Sequence, residues 1–228
     1  MKRSALIAAS FWGLATGAMA QPSLILTENG AELIRAAEER PPLFETAFQE
    51  AAQRIERSLS EGLVIPVPKD PGGGYSHERH KENYKIIHDA GILFQLSGDI
   101  KYRDHAEAYL LAYAEMYTDL PLHPEQKEQA PGRLFWQSLN EAVWLVYSIQ
   151  GYDAIRDDLS AESRTKIEDR VLRPMAEFLS VGSPQTFRKI HNHGTWAAAA
   201  VGMTGYALDD DEMVERSLMG LDGDGSTG

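Results

Sequence analysis

Apolar residues recur at helical spacing in almost every segment beyond residue 20, and this periodicity restricts the fold more than any other feature. Prolines and glycines separate the periodic segments, and no segment has a persuasive strand pattern. We predict helices over residues 27–40, 43–61, 76–96, 99–118, 134–147, 160–179 and 209–219. Successive helices should pair as antiparallel hairpins. The pattern therefore predicts an all-α fold, built either as an incomplete (α/α) toroid or as an irregular helical-repeat scaffold.

Residues 1–20 have the pattern of an export signal. A basic start precedes a short apolar run, and the small residues Ala18 and Ala20 stand where a signal peptidase cuts. We expect cleavage after Ala20 and one domain over residues 21–228. The apolar run is too short to span a membrane and no later stretch approaches one, so we expect a periplasmic or secreted protein with no membrane partner.

The composition limits the possible partners. The chain has no cysteine, so disulfides do not hold it together, and its formal net charge is −12 at pH 7. This acidity argues against general affinity for nucleic acids or other polyanions. An acidic ligand would therefore have to be held in a local, shaped site.

Two imidazoles and an amide precede a very apolar run near the end of the chain. His191, Asn192 and His193 stand directly before residues 197–203, where a buried helix should begin. Burying such groups unpaired costs roughly 2–7 kcal/mol each, so they need partners or a ligand. At a helix entrance, Asn192 and His193 can converge on a ligand beside free backbone N–H groups. The alternative is that Asn192 caps the helix and His193 lies satisfied in the core.

The predicted helix over residues 134–147 is apolar except for one polar stripe. Gln137, Asn140 and Trp144 are spaced at i, i+3 and i+7, so they should share a face. Such a stripe is either satisfied internally or lines a cavity. Amides that bind hydroxyls beside an indole ring are typical of a sugar pocket.

Two patterns suggest metal ligands, and neither is complete. His77 and His80 are spaced at i and i+3, but no third ligand is evident and a solvated helix start is the simpler interpretation. Asp222 and Asp224 resemble the start of a calcium loop that lacks its closing glutamate, which favours a linker. We predict no metal site in this chain.

Three separated segments resemble the N-terminal helical domain of oligoalginate lyases, which are polysaccharide lyases of the heparinase II/III-like superfamily. The segments are Gly73–Tyr84 (GGYSHERHKENY), Pro131–Asn140 (PGRLFWQSLN) and Ile190–Trp196 (IHNHGTW). They occur in the order found in the family, and together they are far more specific than any one of them.

The resemblance implies β-elimination at a uronate of alginate or oligoalginate. The C5 proton is removed, the 4-O-glycosidic bond breaks and an unsaturated sugar is released. Asn192 and His193 match the family pair that neutralises the substrate carboxylate, and His193 could also assist proton transfer. The resemblance further implies sugar binding by Gln137, Asn140, Tyr84 and Trp136. No cofactor is expected within this chain.

The family pattern continues past the length of this chain. Family members add toroid helices with a catalytic tyrosine, and then a β-sandwich domain where a structural zinc is expected. We therefore expect a fragment with little activity alone. Two other functions stay open: a non-catalytic oligouronate-binding or scaffold protein, and an inverting glycosidase. The glycosidase needs two carboxylates roughly 6.5–9.5 Å apart, for which Glu82, Asp89 and Glu141 are available.

Overall fold

The computed structural model describes residues 23–37, 39–125 and 130–225, and helices are the regular secondary structure within these ranges. The predicted signal peptide and residues 226–228 lie outside the described residues. No strand occurs within the described ranges, which confirms the all-α prediction. The helices are α1 Glu28–Ala36, α2 Pro42–Glu61, α3 Tyr75–Ser97, α4 Ile100–Met116, α5 Ser138–Asp153, α6 Ala161–Ile167, α7 Arg173–Leu179, α8 Pro184–Phe187, α9 Asn192–Ala207 and α10 Asp211–Met219.

Residues that favour helix ends fix most of the helix limits. The Thr27 hydroxyl accepts a hydrogen bond from the Gly30 N–H at the start of α1, and the Asp99 carboxylate does the same for Lys101 at the start of α4. Gly98 ends α3 in the left-handed conformation, with φ of 70°. The predicted limits of α2, α3 and α4 are correct to within two residues for this reason.

Three predicted helices differ from the structure. The helix predicted over 27–40 ends at Ala36. The segment 134–147 becomes helical only at Ser138, and Gln137 has the extended backbone of a residue that precedes a helix. The segment 160–179 contains a π-helical turn, Glu168–Leu172, between α6 and α7. Pro174 lies in the first turn of α7 and donates no backbone hydrogen bond, which accounts for a change of helix type at this point.

Helix α3 lies at the centre of the fold and packs against α2, α4 and α5, while α5 packs against α9 and α9 against α10. Glycines allow the α3–α5 contact. A Cβ atom added at Gly91 would lie 2.5 Å from the carbonyl oxygen of Gly151, so the two backbones touch directly. The three segments that resemble the lyases therefore belong to one packed unit, because α5 contacts both α3 and α9.

Aromatic side chains from α4 fill the core beside α5. Tyr109, Tyr113 and Tyr117 are fully buried, and Trp144 meets Tyr113 edge to face with ring centroids 4.7 Å apart. The prediction that Trp144 shares a polar face with Gln137 is therefore wrong. Gln137 precedes the helix, so the helical spacing that linked the two residues does not apply.

Within the part of the chain that the structure describes, no helix combines the length and apolar character needed to cross a membrane.

Candidate active site

The first turn of α9 presents the Asn192–His193 pair at the surface. Asn192 is exposed and His193 is partly exposed. The residue that caps the helix is His191, whose Nδ1 accepts a hydrogen bond from the His193 N–H at 3.4 Å. The alternative in which Asn192 caps α9 and His193 is a core residue is therefore not what the structure contains. Both side chains can reach a ligand at the positive end of the helix dipole.

Gly194 lets the first turn of α9 pack directly against the preceding backbone. A Cβ atom at Gly194 would overlap the carbonyl oxygen of Lys189 and would lie 3.3 Å from that of Phe187. The chain leaving α8 therefore runs directly against the first turn of α9. A residue with a side chain at this position would push the Asn192–His193 turn away from the chain below it.

The predicted sugar-binding residues Trp136 and Gln137 lie on the segment 130–137, just before α5. Gln137 donates from Nε2 to Oδ1 of Asn140 at 2.9 Å, so the two predicted amides form a pair at the start of the helix. A Cβ atom at Gly72 would lie 3.3 Å from Nε1 of Trp136. The backbone of the glycine-rich loop 71–74 therefore approaches the indole of Trp136 closely.

Tyr84 is almost buried, with 7% of its surface exposed. Its ring stacks on Tyr147 with centroids 5.0 Å apart, and the His88 ring meets Tyr147 edge to face at 5.4 Å. Burial raises the pKa of the Tyr84 hydroxyl. Sequence reasoning did not single out Tyr147, although its spacing of seven residues from Asn140 on an otherwise apolar helix was a usable signal.

The histidines at the start of α3 are buried, so the prediction of a solvated helix start is wrong. His77 is 5% exposed and His80 is fully buried. The edge of the Phe135 ring covers both, with ring centroids 5.2 Å from His77 and 5.8 Å from His80. Among the described residues, no group of three or more potential metal ligands is arranged to hold an ion.

The carboxylates that a glycosidase would need are engaged elsewhere. Glu82 and Asp89 both bind the guanidinium of Arg54, and Glu141 is fully buried. The Glu141 carboxylate is buried because the loop before α5 closes over it. This arrangement does not support an inverting glycosidase.

The acidic residues after α10 also have protein partners. Asp222 accepts two hydrogen bonds from Arg188, at 3.0 Å from Nε and 2.8 Å from Nη2. The Asp222 carboxylate therefore ties the end of α10 to the segment between α8 and α9.

Comparison with known proteins identifies the family. The family model for alginate lyases matches residues 66–222, which include all three segments described above. The chain belongs to the alginate lyase family. It is 59% identical over 207 residues to an exo-oligoalginate lyase of Saccharophagus degradans, covering 91% of this chain and 28% of that relative. It is 52% identical over 189 residues to an alginate lyase of Stenotrophomonas maltophilia, covering 83% of this chain and 25% of that relative. The chain thus spans about a quarter of the length of these relatives.

Proposed function

We propose that this chain contributes to the cleavage of alginate or oligoalginate by β-elimination at a uronate. The observation that carries the proposal is the family match over residues 66–222, within which Asn192 and His193 lie accessible at the start of α9. The relative from Saccharophagus degradans, named an exo-oligoalginate lyase, supports the same substrate class.

The proposed roles of Asn192 and His193 follow from the chemistry of the reaction. The C5 proton of a uronate is weakly acidic because its removal places further charge beside a carboxylate. An amide N–H and an imidazole N–H that bind the carboxylate stabilise the enediolate that develops. Losing one such donor typically costs roughly 10²–10³ in rate. The positive end of the α9 dipole favours the same charge.

The proposed sugar contacts come from the segment before α5, from α5 and from α3, and α5 packs against both α3 and α9. We assign hydroxyl binding to Gln137 and Asn140, stacking on the C–H face of a sugar to Trp136, and a further contact to Tyr84. We also propose that the helices form part of an (α/α) toroid and that residues 1–20 direct export to the periplasm or beyond.

A second function, capture of oligouronates without chemistry, stays open. The accessible Asn192 and His193 could bind a uronate carboxylate without any proton being removed. The two functions would use the same residues, but they differ in whether a double bond forms.

Two measurements on the purified chain separate these functions. Ultraviolet absorbance reports the unsaturated uronate that a lyase forms, and calorimetry with an alginate oligosaccharide reports binding. We expect Asn192→Ala and His193→Ala to lower either signal strongly, whereas Asn29→Ala, on the exposed face of α1, should leave it unchanged. Product formation supports the lyase, and binding without product supports capture. Absence of both signals would contradict both functions.

A further inference from the structure

Glu141 is a fully buried carboxylate in the first turn of α5 that the proposed chemistry does not use. Its Oε1 accepts the hydroxyl hydrogen of Tyr117 at 2.6 Å, and its Oε2 accepts the backbone N–H of Arg133 at 2.7 Å. Burial raises the pKa of this carboxyl to about 7, although the bonds from Tyr117 and from the backbone at Arg133 and Leu134 oppose the rise. Burying a carboxylate costs free energy that its hydrogen bonds must offset. The groups that bind Glu141 therefore indicate what it does.

The neighbours belong to the segment 130–137, which wraps around the carboxylate. A Cβ atom at Gly132 would lie 2.5 Å from Oε2 of Glu141, so the backbone runs directly against the acid. The Ser138 N–H donates to the Ala130 carbonyl at 2.9 Å and closes the segment at its base. The Gly132 carbonyl accepts from the His123 N–H at 2.8 Å, which anchors the same segment to the preceding loop.

The segment ends in two of the proposed sugar-binding residues. Trp136 and Gln137 follow the turn held by Glu141, and Gln137 then pairs with Asn140. The backbone that carries both side chains is therefore shaped around an acceptor on the following helix. Glu141 itself is fully buried, so it cannot touch a sugar.

We propose that Glu141 is a positioning residue that holds the segment 130–137 in the conformation in which Trp136 and Gln137 line the saccharide site. The part of this inference that concerns saccharide rests on the proposed function. The part that concerns the backbone does not, since it follows from the hydrogen bonds and from the space at Gly132.

A glutamine cannot replace this acid without loss. The Tyr117 hydroxyl donates to one oxygen of Glu141, and the backbone at Arg133 and Leu134 binds the carboxylate as well. An amide has a single acceptor oxygen, so one of these donor hydrogens loses its acceptor, and only the hydroxyl can turn and accept from the amide N–H₂ instead. We therefore expect Glu141→Gln to weaken the hold on the segment while preserving the volume of the side chain.

The experiment compares backbone amide exchange and oligosaccharide binding in the same variants. Hydrogen exchange should accelerate by about tenfold or more for amides in 132–137 in Glu141→Gln, because a local hydrogen bond is lost. Calorimetry with an alginate oligosaccharide should show binding weakened by about tenfold or more. The matched control is Glu168→Gln, which alters another glutamate bound by a tyrosine hydroxyl, that of Tyr152, away from this segment. This control should change neither the amide exchange rates in 132–137 nor the affinity for the oligosaccharide.

Each outcome decides one part of the proposal. Unchanged exchange in every folded variant at Glu141 overturns the positioning role, whereas faster exchange with wild-type affinity overturns only its link to the saccharide site. If the wild type does not bind the oligosaccharide, the proposed function fails and the exchange result still decides the positioning role. The second variant is Glu141→Asp, which keeps the charge but is one methylene group shorter, so its carboxylate is withdrawn from the Arg133 N–H; it is read in the same two ways.

Discussion

The imidazole Nδ1 of His80 lies 2.8 Å from the hydroxyl oxygen of Tyr113, and both residues are fully buried between α3 and α4. Asn83 donates to the same hydroxyl at 2.9 Å, so a small polar network stands inside an otherwise aromatic core. Burial lowers the pKa of His80 to about 3. This histidine is therefore neutral in the folded protein over the whole range in which a free imidazole takes up a proton.

Acid should destabilise the protein partly through His80. In the unfolded chain this histidine takes up a proton below pH 6.5, but in the folded chain only near pH 3. The stability that depends on neutral His80 is therefore fully present above pH 6.5 and falls as the pH drops from 6.5 towards 3. One such group contributes a slope of about 1.4 kcal/mol per pH unit. Burial lowers the pKa of His77, His105 and His123 as well, which adds to the effect. Urea unfolding at pH 7.5, 6.0 and 5.0 measures the slope.

The variant His80→Gln tests the contribution of this residue, since glutamine can still bond Tyr113 but does not titrate. Its free energy of unfolding should depend less steeply on pH than that of the wild type. Asn29→Ala, at an exposed residue of α1 that does not titrate, is the control and should keep the wild-type slope. Parallel slopes for His80→Gln and the wild type would contradict the assignment.

Gly91→Ala should destabilise the fold by about 1–3 kcal/mol, the usual cost of overpacking. The added methyl group would meet the backbone of Gly151, so α3 and α5 would have to move apart. Denaturant unfolding gives the difference in free energy. Gly30→Ala in α1 is the helical control, because its methyl group would lie 3.1 Å from Oγ1 of Thr27 and 3.3 Å from Cδ1 of Leu26, both of them side-chain atoms. Equal losses for the two variants would show that backbone contact is not what matters at Gly91.

Gly194→Ala should impair the site more than the fold. The methyl group would overlap the Lys189 carbonyl oxygen and displace the turn that carries Asn192 and His193. A displacement of about 1 Å in a reacting group can cost about 100-fold in rate, and we expect a loss of that order in product formation or, for capture, in binding. Calorimetry and the absorbance assay measure it. Gly30→Ala, in α1, should retain the function, and wild-type function in Gly194→Ala would refute the expectation.

Arg216→Lys should weaken the attachment of α10. Nη1 of Arg216 donates to both carboxylate oxygens of Glu177, at 3.0 and 3.1 Å, and to the Ser180 hydroxyl at 3.0 Å. Lysine retains the charge but lacks the planar fork, so we expect a loss of about 1–3 kcal/mol in unfolding free energy. The exposed pair of Arg188 and Asp222 supplies the control: Arg188→Lys should change stability by less than about 0.5 kcal/mol. A loss in Arg216→Lys no larger than in this control would rule out the guanidinium contacts of Arg216, from Nη1 to Glu177 and from Nη2 to Glu212, as a source of stability.

Local signals predicted most of the helices because the residues that end helices act through their own backbone. Pro42 begins α2, and Gly62 and Gly98 follow the last residues of α2 and α3, each within a residue or two of the predicted limit. The same kind of reasoning failed at residues 134–137. There the backbone N–H of Arg133 donates to the carboxylate of Glu141, and helical periodicity does not predict such a partner.

The candidate site was predicted by residue type more than by environment. Asn192 and His193 lie at a helix start, as expected, but the cap is His191. His77 and His80 were expected in solvent because a polar helix start usually is solvated. Phe135 and Tyr113, which cover them, come from elements 33 or more residues away along the chain. The roles of Asn192 and His193 in binding a uronate and in catalysis stay predictions, and the measurements proposed above test them.

The sequence by itself determined the helical class, most helix limits and the family, because these depend on periodicity, on glycine and proline, and on motifs contiguous in the chain. Tertiary structure alone decided which polar groups are buried and what holds the loop before α5. The reason is physical: whether Glu141 or His80 is solvated depends on Tyr117 and Tyr113 of another element, and the fold brings those partners within 3 Å.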